Sequence, residues 1–115
     1  MIATCAVDRS VRLWTYDSKN GTFKMKLSQT LSEEPISVAI HPSGFHILVC
    51  TPENVKMMNI LDSSLVSYKE LGIKNCKEIQ FSNGGQYFAC QAGSNVIVYK
   101  FYTAESPPEF NFKGH

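Results

Sequence analysis

The chain has 115 residues, 43% of them hydrophobic and 18% charged, and a formal net charge of +1. This balance belongs to a globular chain, not a disordered one, and it lacks the basic excess of a nucleic-acid binder. No apolar run approaches the roughly 20 residues of a membrane-spanning helix, and Met1 to Cys5 lacks the basic start and long apolar core of a secretory signal.

Taken in chain order, short runs rich in Val, Ile, Phe and Tyr alternate with turn residues, which is the pattern of strands. The predicted strands lie near residues 2–7, 11–16, 23–30, 36–41, 46–51, 54–60, 65–71, 76–82, 87–92, 95–102 and 108–113. His41-Pro42-Ser43-Gly44 has Pro at the second turn position and Gly at the fourth, as a type I turn prefers. Asn83-Gly84 reads as a tight hairpin turn, because both residues tolerate positive φ. Pro52-Glu53-Asn54 and Gly93-Ser94-Asn95 mark further turns, while Ser63-Ser64 and Ser106-Pro107-Pro108 read as loops. In the strand with Met57-Met58, one methionine is expected to face each side of a buried sheet.

These elements repeat. Val38 to Gly44 resembles Glu78 to Gly85, with Gly44 and Gly85 41 residues apart. Asn54-Val55-Lys56-Met57-Met58 resembles Asn95-Val96-Ile97-Val98-Tyr99 at the same spacing, and Ser10-Val11-Arg12-Leu13-Trp14 precedes the first of these by 44. A period of about 40–45 residues suits four-stranded propeller blades. Paired-helix repeats of similar length are excluded because the segments between turns are too short.

Four cysteines, Cys5, Cys50, Cys76 and Cys90, form no C-x-x-C pair and have no histidine at zinc spacing. Buried, reduced thiols are expected, with a disulfide or a metal role as the alternatives. His41 and His46 flank one turn and suggest no site. Glu33-Glu34 reads as a solvated loop pair. No phosphate-binding loop, nucleophile turn or H-E-x-x-H motif occurs. Catalytic, cofactor-binding and metal residues are therefore expected to be none, with no small-molecule substrate.

Ile2-Ala3-Thr4-Cys5-Ala6-Val7-Asp8-Arg9-Ser10-Val11-Arg12-Leu13-Trp14 resembles the second half of a WD repeat. Its small-residue strand leads through an Asp-x-Ser turn into a strand ending Leu-Trp. Gly114-His115 resembles the Gly-His pair that opens such a repeat. The resemblance implies an all-β chain forming part of a WD40 β-propeller, 1–115. On this reading 1–30 is an incomplete blade without its innermost strand, 31–72 and 73–113 are four-stranded antiparallel blades, and 114–115 begin a further repeat. It also implies a structural hydrogen-bond set of turn Asp, strand Ser/Thr, strand Trp and loop His, matched here by Thr4, Asp8, Trp14 and His115. Trp14 is then expected to be buried, with its N–H on the Thr4 hydroxyl or a neighbouring group in the same blade. The inner repeats depart from the pattern: Leu31 and Gly72 stand where the His belongs, and Pro52 and Gly93 where the Asp belongs. Those repeats are expected to rely on apolar packing.

The strands around His41-Pro42-Ser43-Gly44, Met57-Met58-Asn59 and Phe81 to Gly85 are similar to the N-terminal propellers of large ciliary WD-repeat, coiled-coil proteins. That likeness implies a non-catalytic interaction scaffold in the cytoplasm, in the axoneme of a cilium or flagellum, helping to place or regulate inner dynein arms. The partners implied are the rest of its own propeller or other chains, axonemal and dynein-arm proteins among them, with no nucleic acid and no membrane. A general cytosolic adaptor, in trafficking or ubiquitin-ligase substrate capture, and a peptide reader are the alternatives. A propeller must close its ring to protect strand edges, so the chain is expected to be part of a larger assembly.

Overall fold

A computed structural model describes residues 1–101 and the strand at 110–113. The expected strands form: β1 (Ile2–Cys5), β2 (Ser10–Asp17), β3 (Thr22–Thr30), β4 (Ser37–Ile40), β5 (His46–Cys50), β6 (Val55–Ile60), β7 (Leu65–Leu71), β8 (Cys76–Phe81), β9 (Tyr87–Ala92), β10 (Asn95–Lys100) and β11 (Phe110–Lys113). No α-helix occurs among the described residues. The strands make three antiparallel sheets of sequential neighbours: β1-β2-β3, β4-β5-β6-β7 and β8-β9-β10-β11. The chain is all-β, with the sheet pattern of a propeller fragment. The loop expected at Ser106-Pro107-Pro108 and the pair Gly114-His115 lie outside the described residues.

The turns follow from their residues, with one correction. The Gly44 N–H donates to the His41 carbonyl at 2.9 Å, and Gly44 takes φ 79, as the Pro and Gly positions predict. The Asn83-Gly84 hairpin uses the same geometry. The Gly85 N–H donates to the Ser82 carbonyl at 2.9 Å, and the positive φ falls on Gly85 at 73. The residue that must tolerate the left-handed region is thus Gly85, which follows the expected dipeptide, because a type I turn puts that demand one position past its centre.

Packing is sheet on sheet. Val11, Leu13 and Leu27 of the first unit meet Leu31, Ile47, Val49, Met58, Ile60 and Leu65 of the second. The opposite face of the second sheet, with Leu48, Cys50, Val55, Met57 and Leu71, meets Cys76, Ile79, Phe88 and Cys90 of the third. Period-two alternation therefore sends neighbouring residues into different cores. Ile47, Leu48, Val49 and Cys50 are all 0% exposed. Met57 and Met58 face opposite sides, as expected for a strand covered on both faces.

The repeat extends to an irregularity. The β2–β3 register shifts between Leu13 and Trp14, and the β6–β7 register shifts at the equivalent Met57 and Met58. In each case the outer strand carries one extra residue, Lys26 or Tyr68. Such bulges increase the local twist of a sheet, here at the same place in two successive units.

Candidate functional site

The β1–β2 hairpin carries the residues singled out by the sequence. The Trp14 indole N–H donates to the Thr4 hydroxyl at 3.0 Å. Asp8 sits in the connecting turn beside Arg9, whose φ is 68. One Asp8 oxygen accepts the Ser10 N–H at 3.0 Å and the Ser10 hydroxyl, and the other accepts the Arg12 guanidinium at 3.1 Å. The Ser10 bonds first, then Arg12, hold the Asp8 carboxyl below its ordinary value. A carboxylate so exposed and so depressed is a poor proton acceptor at neutral pH; it fixes the turn. His115, the expected fourth member, lies outside the described residues. Leu31, at the His position of the next repeat, packs in the apolar core instead.

The expected burial of Trp14 is corrected by the structure: the ring is half-buried and Thr4 is exposed. The reason is the environment of the face they share. Residues directly opposite on antiparallel strands lie on one side of a sheet. Trp14 is opposite Ile2 on β1 and Met25 on β3, Thr4 is opposite Arg12, and Tyr16 is opposite Phe23. Val11 and Leu13 point the other way, into the second sheet. The outer face thus lines up Ile2, Trp14, Tyr16, Phe23 and Met25. Tyr16, Phe23 and Met25 are 59%, 52% and 54% exposed. Tyr16 and Phe23 meet edge to face at 5.2 Å between centroids.

Two histidines that suggested no site from the sequence join the sheets. His41 is 3% exposed, and its Nδ1 lies 2.8 Å from the Ser43 hydroxyl and its Nε2 2.9 Å from the Gly85 carbonyl. Its ring packs on Phe81 and Phe101 of the third unit. A Cβ at Gly85 would come within 2.3 Å of His41 Nε2, so this close approach also requires glycine. His46 packs edge-on against His41, Tyr68 and Phe101. Burial, then the neighbouring His41, push the His46 imidazole below its ordinary value. With Met57, Asn59, Tyr68, Lys69 and Phe101 it lines a cavity of about 380 Å³. The other interface has its own polar tie. The Gln29 amide accepts the Leu65 N–H at 2.7 Å and donates to the Leu65 carbonyl at 2.8 Å, so one side chain on β3 pairs with β7 as a strand would. Nothing in the local pattern marks Gln29. For His41 the available signal was the repeat itself, which aligns its turn with the turn holding Gly85.

No family model matches this chain. Cilia- and flagella-associated protein 57 A of Tetrahymena thermophila is 47% identical over 114 residues, 99% of this chain and 8% of its own length. Cilia- and flagella-associated protein 57 C of the same organism is 38% identical, and cilia- and flagella-associated protein 57 of Mus musculus is 39% identical. Each of these two alignments covers all of this chain and 9% of the relative. The chain is homologous to a segment of cilia- and flagella-associated protein 57. It spans less than a tenth of the length of the curated relatives it matches. Among solved structures, Kuenenia stuttgartiensis hydrazine synthase superposes with a TM-score of 0.63 at 18% identity, covering 90% of this chain and 29% of that one. That likeness is one of fold.

Within the part homologous to cilia- and flagella-associated protein 57, the polar side chains described above make structural bonds. Asp8 orders a turn, Gln29 and His41 tie sheets together, and Thr4 satisfies an indole N–H. Among the described residues, no group of three or more His, Cys, Asp or Glu is arranged to hold a metal ion. What the arrangement offers chemically is surface: an aromatic face on the first sheet, carried on a rigid two-interface core.

Proposed function

We propose that this chain is a non-catalytic scaffold segment of a WD-repeat propeller in a cilium or flagellum, and that it presents sheet faces to other polypeptide. The observation that carries the reading is the outer face of the first sheet, where Ile2, Tyr16, Phe23 and Met25 are exposed around a half-buried Trp14, while the equivalent faces of the middle sheet are closed. Burying such side chains is worth roughly 25 cal/mol per Å² of apolar area, so a matching sheet or partner surface would be held firmly. The names of the homologous proteins support the ciliary setting. The finer reading is an axonemal protein that helps assemble or regulate inner dynein arms, with axonemal proteins as partners. The polar groups of the first hairpin, locked in turn-fixing bonds, support a binding role over a catalytic one.

The test is made in motile ciliated cells, in the longer protein that carries this segment. Trp14→Asp and Tyr16→Asp together should release the protein from isolated axonemes and lower inner-arm dynein heavy chains measured by quantitative mass spectrometry. Full retention with unchanged dynein content would refute the scaffold role of this face.

A further inference from the structure

The interface between the second and third sheets contains three thiols that the described hydrogen-bond ties leave out. Cys50 on β5 and Cys76 on β8 come from different sheets, and both are 0% exposed. Their sulfurs lie 3.0 Å apart. Cys90, on β9, is 1% exposed and donates to the Ile97 carbonyl at 3.7 Å. Cys5 lies elsewhere, half-buried on β1. Two sulfurs at 3.0 Å need to close by only about 1 Å to reach the roughly 2.05 Å of a disulfide. They are held there by strands that pack against each other through the rest of this core. Nothing about the sequence spacing of Cys50 and Cys76 suggests the pairing.

We propose that Cys50 and Cys76 form an oxidation site, closing a reversible disulfide that staples the second sheet to the third when a peroxide reaches the interface. Cys76, whose sulfur accepts from the Cys50 thiol at 3.0 Å, is the one that reacts with peroxide first. The Cys50 thiol donates to its sulfur and pulls it below its ordinary value, while the same contact pushes Cys50 up. The thiolate is the reactive form. The Cys76 thiolate attacks one oxygen of hydrogen peroxide, the O–O bond breaks, and hydroxide leaves, giving a sulfenic acid on Cys76. The Cys50 sulfur gives up its proton and attacks the Cys76 sulfur, the S–O bond breaks, and the departing hydroxide takes up a proton as water. In sum, two thiols lose two protons and two electrons, and one peroxide becomes two waters. Cys90 stays a thiol because its S–H is directed at the Ile97 carbonyl.

The full chain is treated with hydrogen peroxide, denatured, alkylated, and mapped by mass spectrometry before and after reduction with dithiothreitol. The expected result is loss of two alkylatable thiols per chain, a Cys50–Cys76 linked peptide that reduction removes, and a melting temperature several degrees higher while the link is present. Cys5→Ala should leave the link unchanged. In Cys50→Ala, the Cys76 sulfenic acid should persist and be trapped by dimedone. The proposal is overturned if Cys50 and Cys76 both still alkylate under conditions that oxidise Cys5, or if the linked peptide contains Cys5 or Cys90. Because mapping is done on the unsubstituted chain, a variant that fails to fold does not remove the test.

Discussion

The first and second sheets share a strand pattern but occupy different environments. In the middle sheet, β5 and β6 bury residues on both faces, and Ile47, Leu48, Val49 and Cys50 are completely enclosed. In the first sheet, β2 buries Val11 and Leu13 on one face, while Trp14 and Tyr16 remain half-buried and exposed on the other. Both sheets even carry the same outer-strand bulge. The difference is supplied by neighbours: a sheet with companions on both sides turns an apolar run into two cores, and a sheet with one companion turns half of its apolar residues into surface. The hydrogen bond of Trp14 with Thr4 lies on that face.

The comparison can be broken most directly in the middle sheet. Leu48→Ala should lower unfolding free energy by about 2–5 kcal/mol, the range for truncating a fully buried leucine, as measured by urea denaturation. A cost below that range would mean the second core is loosely packed. Gly44 and Gly85 come next, since their turns are equivalent but their surroundings differ. Gly44→Ala should cost about 1–2 kcal/mol, the backbone strain alone, because an added Cβ meets nothing within 4 Å. Gly85→Ala should cost at least about 1 kcal/mol more through collision with the His41 ring. Equal effects at the two positions would contradict His41 as an inter-sheet tie.

Trp14→Ala should cost only about 1–2 kcal/mol, short of the 3–5 kcal/mol range for a fully enclosed large aromatic, because part of the residue already meets solvent. A loss within that higher range would show that the first sheet's outer face is covered. Thr4→Val, which removes the acceptor of the indole N–H, should cost about 0.5–1.5 kcal/mol. The smallest effect is on pH dependence. His46 is depressed in the folded chain, so as pH falls through about 6.5 the unfolded chain takes up its proton first. Stability should be full above that value, decline below it, and level off once folded His46 also protonates. His46→Gln should flatten this step in melting curves taken from pH 7.5 to 5. Asp8, also depressed, acts in a separate window: its contribution is present above about pH 4 and is lost as pH falls through its folded value.

The strands and their partition into successive units were legible because each depends on residues close in sequence. Period-two apolar runs, Pro and Gly at set turn positions, and the 41- and 44-residue spacings act within a hairpin. The Thr4–Trp14 bond was legible for the same reason, since antiparallel pairing of adjacent strands brings the two together. Even the opposite facings of Met57 and Met58 follow from strand geometry alone.

What only the tertiary structure decided are properties of the space between sheets. Whether Trp14 is enclosed depends on what lies over its face, which its own strand does not encode. The pairing of His41 with Gly85, of Gln29 with the Leu65 backbone, and of Cys50 with Cys76 joins residues 44, 36 and 26 positions apart. Each pair meets only when two independently formed sheets stack at one distance and register. A strand specifies which side each residue faces; the residue that it meets there is fixed by the packing of the next sheet.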